Sequence, residues 1–391
     1  MRANPRLLVI LSALQFTLFP IPIVTLFWKD QIGMSLTEIM VLLAVFGATS
    51  VLCEFPSGYL ADRVGYRASM LVGGVFWLAG WLVYARAASF GAVSLAELLL
   101  GAGSAFISGA DRALLWVSLD TGGRNAEYTR WEGRLRAAGQ TAEAASSAAG
   151  GWLYALQPRL PVWLQIPAAA LGLVTILTLR ETPRPPSTGH RSHLARALHI
   201  IRFTLSRQRR LRAAMALSVA LGASSFVMVW LIQPYMQGHG VPVSWFGPLW
   251  AAAHLWLAVV SLSSARVVGV LGVRATLFGC CLLAPLGYAG LAASASAWGV
   301  VFYLLFMTLR GLQGPILVRI MQEDAPPEDR ASVLSLAALL FRLAFTLIGP
   351  PIGALVDRAG LPTALVVLAV ASAIAGFAAL AVFNRAHARL Y

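Results

Sequence analysis

Long apolar stretches recur from one end of the chain to the other, each near the ~20 residues a helix needs to cross the hydrocarbon core of a bilayer. Twelve can be placed. The first half gives residues 7–27, 36–59, 68–85, 92–119, 135–156 and 162–179. The second half gives 213–236, 245–265, 275–293, 298–321, 331–356 and 362–383. Connections on one side are short, which predicts antiparallel neighbours. Local end signals agree with these spans. Ser35-Leu36-Thr37-Glu38 has capping-box form at the start of the second span. Asp329-Arg330-Ala331, after Pro326-Pro327, predicts a helix start following a turn.

The one long polar stretch, residues 180–212, opens with Pro183-Arg184-Pro185-Pro186-Ser187-Thr188-Gly189, which is incompatible with a helix. Residues 194–205 are amphipathic and are expected to lie on the membrane surface with Arg196 and Arg202 toward the headgroups. The expected organisation is therefore a six-helix bundle over 1–182, a cytoplasmic linker over 183–212 and a second six-helix bundle over 213–391. The halves echo each other at nearly constant offset. Gly65-Tyr66-Arg67 answers to Gly272-Val273-Arg274, Glu97 with Gly101 to Arg310 with Gly314, and Gly150-Gly151 to Gly353-Ala354. A duplicated, pseudo-symmetric bundle of this kind is a transporter signature, with a site expected at the repeat interface near the midplane.

Composition sharpens the class. The chain is 58% apolar and 12% charged, whereas a soluble domain carries roughly a quarter charged residues. An all-α integral membrane protein follows, with the lipid bilayer as its solvent. The formal net charge of +14 raises the question of nucleic acid, and its distribution answers it. Lys29, Arg86, Arg159 and Arg358 fall on one side, Arg112, Arg310, Arg319 and Arg342 fall inside spans, and the remaining Lys and Arg share the side of both termini. That bias is the positive-inside signature. It places both termini in the cytoplasm of a cell whose inner membrane holds the chain, and makes the basicity an orienting device, not a nucleic-acid patch. Residues 1–6 precede an apolar run too long for a signal peptide, so an uncleaved first span is expected. Cys53, Cys280 and Cys281 lie in apolar segments without metal-ligand spacing and read as packing residues. No phosphate loop, metal cluster or nucleophile–base set appears. Neither an enzyme nor a primary pump is supported, and no cofactor or metal is expected.

The most polar break between spans is Glu54-Phe55-Pro56-Ser57-Gly58-Tyr59-Leu60-Ala61-Asp62-Arg63-Val64-Gly65-Tyr66-Arg67. Its later part resembles the G-x-L-A-D-R-x-G-R-[RK] loop that follows the second of twelve helices in the major facilitator superfamily. Glu54-Phe55-Pro56-Ser57-Gly58 looks like the E-x-P-[TS]-G extension of its drug-exporter-like group. Ser108-Gly109-Ala110-Asp111-Arg112-Ala113-Leu114-Leu115 is similar to a fourth-helix pattern of the same group. The resemblance implies two six-helix bundles working by alternating access. It also implies a conformational latch made of Gly58, Asp62, Arg63, Gly65, Arg67 and Asp120. In it the glycines allow close approach, Asp62 meets the amino end of the eleventh helix, and Arg63 and Arg67 pair with Asp120. A carboxylate at a helix amino end is worth about 0.3–2 kcal/mol. The chain departs from the family where members often carry Arg and it carries Glu97. It departs again where an antiporter-associated G-P-x-x-G-G becomes Ser146-Ser147-Ala148-Ala149-Gly150-Gly151. A Gly349-Pro350-Pro351-Ile352-Gly353 run stands instead in the eleventh span.

Ionisable residues inside spans cost at least about 2.5–3.5 kcal/mol each, which makes them functional candidates. Glu143, His254, Arg310 and Arg342 fall near the midplane, and Glu54, Asp111, Arg112 and Arg319 in the cytoplasmic third. Glu97 falls within a turn or two of the external end. Glu143 and His254, with Glu54 and Asp111, are the expected proton-coupling residues. Arg310 with Gln313, together with Gln15, Phe19, Arg112, Trp230 and Gln233, is expected to line the substrate cavity, and Arg342 to be a structural charge partner. Asp111 and Arg112 are adjacent, on diverging directions, and are not expected to satisfy each other. Trp28, Trp245 and Trp298 sit near span ends, as interfacial belt residues do. The expected task is export of an amphipathic small molecule against a proton gradient by a monomeric antiporter. Uptake of an anionic metabolite is the rival within transport, and a transport-inactive sensor or scaffold the rival outside it.

Overall fold

The computed structural model describes residues 3–181, 208–326 and 330–387, and every regular element among them is helical. The surface segment expected over 194–205, with Arg196 and Arg202, and the helix start expected at Asp329 lie outside the described residues. The first span is split into α1 (Asn4–Gln15) and α2 (Val24–Leu26), the latter running into a π-helical turn, Phe27–Gln31. The second and third are α3 (Leu36–Arg63) and α4 (Tyr66–Arg86). The fourth is split into α5 (Phe90–Ile107) and α6 (Ala110–Asp120), and α7 (Tyr128–Leu156) and α8 (Leu160–Thr178) complete the half. The second half comprises α9 (Arg209–Gly238), α10 (Phe246–Leu271), α11 (Val273–Ala293), α12 (Tyr303–Asp324), α13 (Arg330–Ala359) and α14 (Leu361–Ala386).

Nine helical runs among the described residues are long and apolar enough to cross a membrane, and one of them, Val333–Ala386, covers both α13 and α14. The two expected spans outside that set have physical reasons to be there. The first is interrupted, and α7 carries Arg130, Glu132, Arg134, Arg136 and Glu143 along its length. Outward-facing positions are apolar where a soluble fold would be polar: Leu52 is 74% exposed, Leu262 85% and Trp298 84%. Such a surface is stable against lipid, with backbone hydrogen bonds satisfied inside each helix. Trp245 and Trp298 are exposed, as an interfacial belt requires. Trp28 is only 2% exposed and is not a belt residue.

The chain forms two compact units. Among the described residues, unit 1 holds 3–181 and Pro242–Ala251, and unit 2 holds 208–241 and 252–387. Within unit 1, α5 packs on α3 and α4, α4 on α8, and α1 on α7 and α8. The α4–α5 seam is set by glycines: a Cβ added to Gly73 would stand 2.9 Å from the Gly103 carbonyl, and one on Gly103 2.9 Å from the Gly73 carbonyl. A buried cluster of Leu8, Met70, Leu114, Leu119, Trp131 and Leu135 fills one end of the unit. Within unit 2, α9 packs on α12, α13 and α14, and α11 on α12 and α14. Cys280 and Cys281 are buried there as packing residues, while Cys53 in unit 1 is half-buried.

The echoes between halves are partly visible in the backbone. Gly65 and Gly272 precede α4 and α11 with φ of 139° and 78°, a region that favours glycine. A Cβ added to Gly101 would stand 2.8 Å from the Phe46 carbonyl and one on Gly311 3.0 Å from the Leu257 carbonyl, whereas Gly314 has open space around it. The capping box at Ser35 forms as expected, with the Ser35 amide donating to Glu38 at 2.8 Å and the Glu38 amide to Ser35 Oγ at 3.2 Å.

Candidate functional site

In unit 1 the first span breaks in mid-membrane over residues 16–23. Pro20 and Pro22 lack the amide donors a helix needs, and the freed groups find side-chain partners. The Leu18 amide donates to Ser146 Oγ at 2.9 Å, and Gln165 Nε2 donates to the Thr17 carbonyl. Small residues of α7 make room: a Cβ on Gly139 would meet Ser12 Oγ at 3.1 Å, and one on Gly150 would run into the Phe19 carbonyl and Pro22. Irregular backbone at this depth survives because protein surrounds it. Gln15, expected in the substrate cavity, lines a void of about 10 Å³ with Leu11, Trp77 and Ile107 in unit 1. It faces this packing because it ends α1 just before the break.

The fourth span breaks at Ser108-Gly109, where Gly109 has φ of 85°. Asp111 consequently stands in the first turn of α6, and its short carboxylate folds back on its neighbour. The Arg112 amide donates to Asp111 Oδ1 at 2.6 Å, and the Arg112 guanidinium pairs with Asp111 Oδ2. The expectation that these adjacent charges diverge is therefore overturned. Arg112 Nε also lies 3.4 Å from Glu132 Oε2 of α7, and Arg136 Nε donates to Glu132 Oε1 at 3.0 Å. Arg112 is thus the centre of a charge network in unit 1, which places it with structural carboxylates where the sequence suggests a substrate contact. Glu132 was not among the expected residues; it stands among Arg130, Arg134 and Arg136 of α7, where nothing in the sequence singles it out.

The charged turn between α3 and α4 is resolved residue by residue. The Arg63 guanidinium lies 5.2 Å from the Tyr59 ring centre, and Asp62 and Arg63 are both exposed. Gly58 has open space around it, so its expected close approach is absent. Arg67 turns toward α8: its amide donates to Glu181 Oε2 at 3.0 Å, and its guanidinium to the Leu177 carbonyl at 2.9 Å. Asp120 accepts from Asn125 Nδ2 at 2.5 Å. The expected Arg67–Asp120 pairing is replaced by these partners, because Arg67 opens α4 on the side that meets α8. Beside Asp120, burial is low and Glu127 is held at about 2, chiefly by the hydrogen bonds from Arg124 and Trp131.

Glu97 on α5 is 8% exposed, and the Tyr84 hydroxyl of α4 hydrogen-bonds to its carboxylate. Trp28 Nε1 of the π-helical turn hydrogen-bonds to Tyr84 Oη. Glu143 on α7 is half-buried, with Gln140 Nε2 3.4 Å away, and Glu54 on α3 is exposed.

In unit 2 the central feature is Arg310 of α12. Its guanidinium lies 5.9 Å from the centre of the Phe226 ring on α9. Phe226 is in turn ringed by Trp230, Phe341 and Phe345, at 6.0, 5.4 and 4.9 Å, all edge-on. Gln313, one turn from Arg310, is 8% exposed and its Oε1 has no hydrogen-bond partner. Gly222 keeps the α9 surface low beside Phe341 and Gln313. Arg310 and Trp230 thus both meet Phe226, a residue missed by a search for charge, and Gln313 lies one turn from Arg310. Gln233 is fully buried on α9, while His254 on α10 and Arg342 on α13 are half-buried.

Residues 7–350 match the family profile described as Major Facilitator Superfamily. The structure is similar to that of the nucleoside transporter NupG, with a TM-score of 0.82 at 15% identity over 97% of this chain and 99% of that one. It is similar to a POT family transporter in complex with 5-aminolevulinic acid, at 0.77 and 14%, over 98% and 96% of the two chains. A third likeness is the peptide transporter POT in complex with sulfate, at 0.75 and 14%, over 98% and 95%. Identities this low carry the fold and not the cargo. No curated protein sequence matches the chain significantly.

Proposed function

Because the chain belongs to the major facilitator superfamily, and is thereby a multi-pass secondary transporter of small molecules and not an enzyme, we propose that it exports an amphipathic compound in exchange for protons, by alternating access. Arg310 and Gln313 hold the polar end of that compound, and the aromatic wall of unit 2 holds its body. The observation that carries this reading is the Arg310 guanidinium poised over Phe226 amid Trp230, Phe341 and Phe345. A guanidinium presents its donors in a plane suited to a carboxylate or phosphate. Its face is already occupied by an aromatic ring, worth ~0.5–2 kcal/mol, so the charge is held in place before any cargo arrives. The unsatisfied Gln313 Oε1 adds a buried acceptor one turn away. The pattern of one cation, one acceptor and several ring edges fits an anion that also carries a hydrogen-bond donor on a flat apolar body. Glu143 and His254 remain the proposed proton carriers near the midplane, and the charged α3–α4 turn the proposed latch.

The same guanidinium supports a second reading, uptake of an anionic metabolite. Purified protein in proteoliposomes with an imposed pH gradient separates the two. A panel of organic anions, neutral amphiphiles and lipophilic cations is offered on each side. Export predicts accumulation of an aromatic anion against the proton flow, lost in Arg310→Gln. Accumulation along the proton flow supports uptake, and transport of the panel unchanged by Arg310→Gln refutes the cargo site.

A further inference from the structure

Glu97 sits in surroundings unlike those of the other carboxylates. It is the eighth residue of α5, a helix without a basic residue. From α4 comes Tyr84, hydrogen-bonded to its carboxylate, with Arg86 exposed at the helix end. From α3 the near ionisable group is Glu38, already engaged by Ser35, while Glu54, Asp62 and Arg63 belong to the far half. From α6 there are Asp111 and Arg112, paired with each other beyond the opposite end of α5. The π-helical turn presents Trp28, followed by exposed Lys29 and Asp30. Arg159, at the start of α8, donates to the Ala85 and Ala87 carbonyls at 3.1 and 3.0 Å and covers the Phe27 ring. No Lys, Arg or His is paired with Glu97 among the described residues.

The direction of its hydrogen bonds is fixed by chemistry. An indole N–H only donates, so Tyr84 Oη accepts from Trp28 and must send its own proton to Glu97. The carboxyl group is therefore an acceptor in a chain that begins one residue from the exposed Lys29-Asp30-Gln31 turn. That turn is π-helical, a rare geometry that often marks functional positions. It is what points the fully buried Trp28 inward. Trp81 packs on Tyr84 with ring centres 5.3 Å apart, closing the other side.

We propose that Glu97 is a proton-binding site of the transport cycle, held by Tyr84 and Trp28 beneath the Lys29–Gln31 turn. The inference rests on the proton-coupled reading above. The step is a proton exchange with water: an O–H bond forms on a Glu97 oxygen as hydronium becomes water, and the reverse releases it. Protonated, the carboxyl fits its dry, donor-poor pocket. Ionised, it carries a buried charge against a single phenol donor, and an arrangement of α2, α4 and α5 that admits water becomes favoured. Protonation is thereby tied to how this end of unit 1 packs.

The test is infrared difference spectroscopy on the full chain in liposomes with pH stepped in the absence of cargo, alongside pH-gradient-driven accumulation. A titrating carboxylic-acid C=O band is expected. It vanishes in Glu97→Gln, a neutral near-isostere, and moves to higher frequency in Tyr84→Phe, which loses the hydrogen bond while keeping the carboxyl. Glu97→Gln is also expected to lose gradient-driven accumulation. A titrating band unchanged in Glu97→Gln overturns the proposal, as does gradient-driven accumulation in that variant equal to the wild type. Wild-type accumulation indifferent to the gradient overturns the proton-coupled reading itself, which is a separate outcome.

Discussion

Asn4, at the start of α1, donates its side-chain amide to Ser118 Oγ near the end of α6 at 2.9 Å. The same amide group donates to the Arg180 carbonyl at 2.8 Å, and its oxygen accepts from the Arg180 amide at 3.1 Å. Asn4 is fully buried, and one side chain so joins the ends of three helices of unit 1.

Asn4→Ala leaves the Ser118 hydroxyl and both Arg180 backbone groups without this partner. Each buried group left unsatisfied costs roughly 1–3 kcal/mol. The expected outcome is a clear fall in thermal stability in detergent, measured by unfolding of the purified chain. An unchanged melting temperature refutes the role.

Glycine positions predict opposite outcomes for the same substitution. Gly103→Ala drives a methyl into the Gly73 carbonyl and the Trp77 amide, at 2.9 and 3.0 Å, both rigid backbone. Overpacking of this kind costs about 1–3 kcal/mol. Gly58→Ala meets nothing within 4 Å and adopts ordinary helical backbone, so it is expected to be neutral or slightly stabilising. Thermal unfolding of the pair in parallel checks the contrast.

Phe226→Leu keeps the volume of the unit 2 wall roughly in place but removes the ring face under Arg310. The loss of a cation–π contact worth ~0.5–2 kcal/mol is expected to weaken binding of the transported anion several-fold. Calorimetric titration of purified protein measures it. Equal affinity in wild type and variant would show that the ring does not orient the guanidinium.

The Arg124–Glu127–Trp131 turn gives a pH prediction with a definite sign. Glu127 is held at about 2, below its ordinary 4.5, first by the hydrogen bond from Arg124 and next by that from Trp131. Its ionised form is favoured by folding, so its contribution is present in full above pH 4.5 and lost as pH falls through about 2. Glu127→Gln is expected to be less stable than wild type at neutral pH, with the gap closing on acidification through that window. A gap independent of pH would assign the effect to packing.

Much of the fold was legible because bilayer physics acts on single positions. The length of each apolar run sets a crossing, and local signals set its end, so the capping box expected at Ser35 forms. The two breaks were legible only in part. Pro20 and Pro22 are plain in the sequence, yet whether a span survives them depends on Ser146 and Gln165, more than a hundred positions away, accepting or supplying the missing hydrogen bonds. Charges were harder still. Arg112 is visible inside an apolar run, but Glu132 as its partner depends on α6 and α7 lying side by side. Trp28 near a span end reads as a belt residue until the π-helical turn rotates it inward.

What the sequence by itself determined was the class: twelve apolar spans, a duplicated plan and the charged Asp62–Arg67 turn after the second of them. These follow from the cost of exposing polar groups to lipid, which each segment meets on its own. The tertiary structure alone decided which buried polar groups meet. Glu97 meets Tyr84 across two consecutive helices, while Arg310 with Phe226 and Asn4 with Ser118 are pairings between helices distant in sequence. The rotation and approach of helices select them, and glycine seams such as Gly73–Gly103 set that approach in three dimensions.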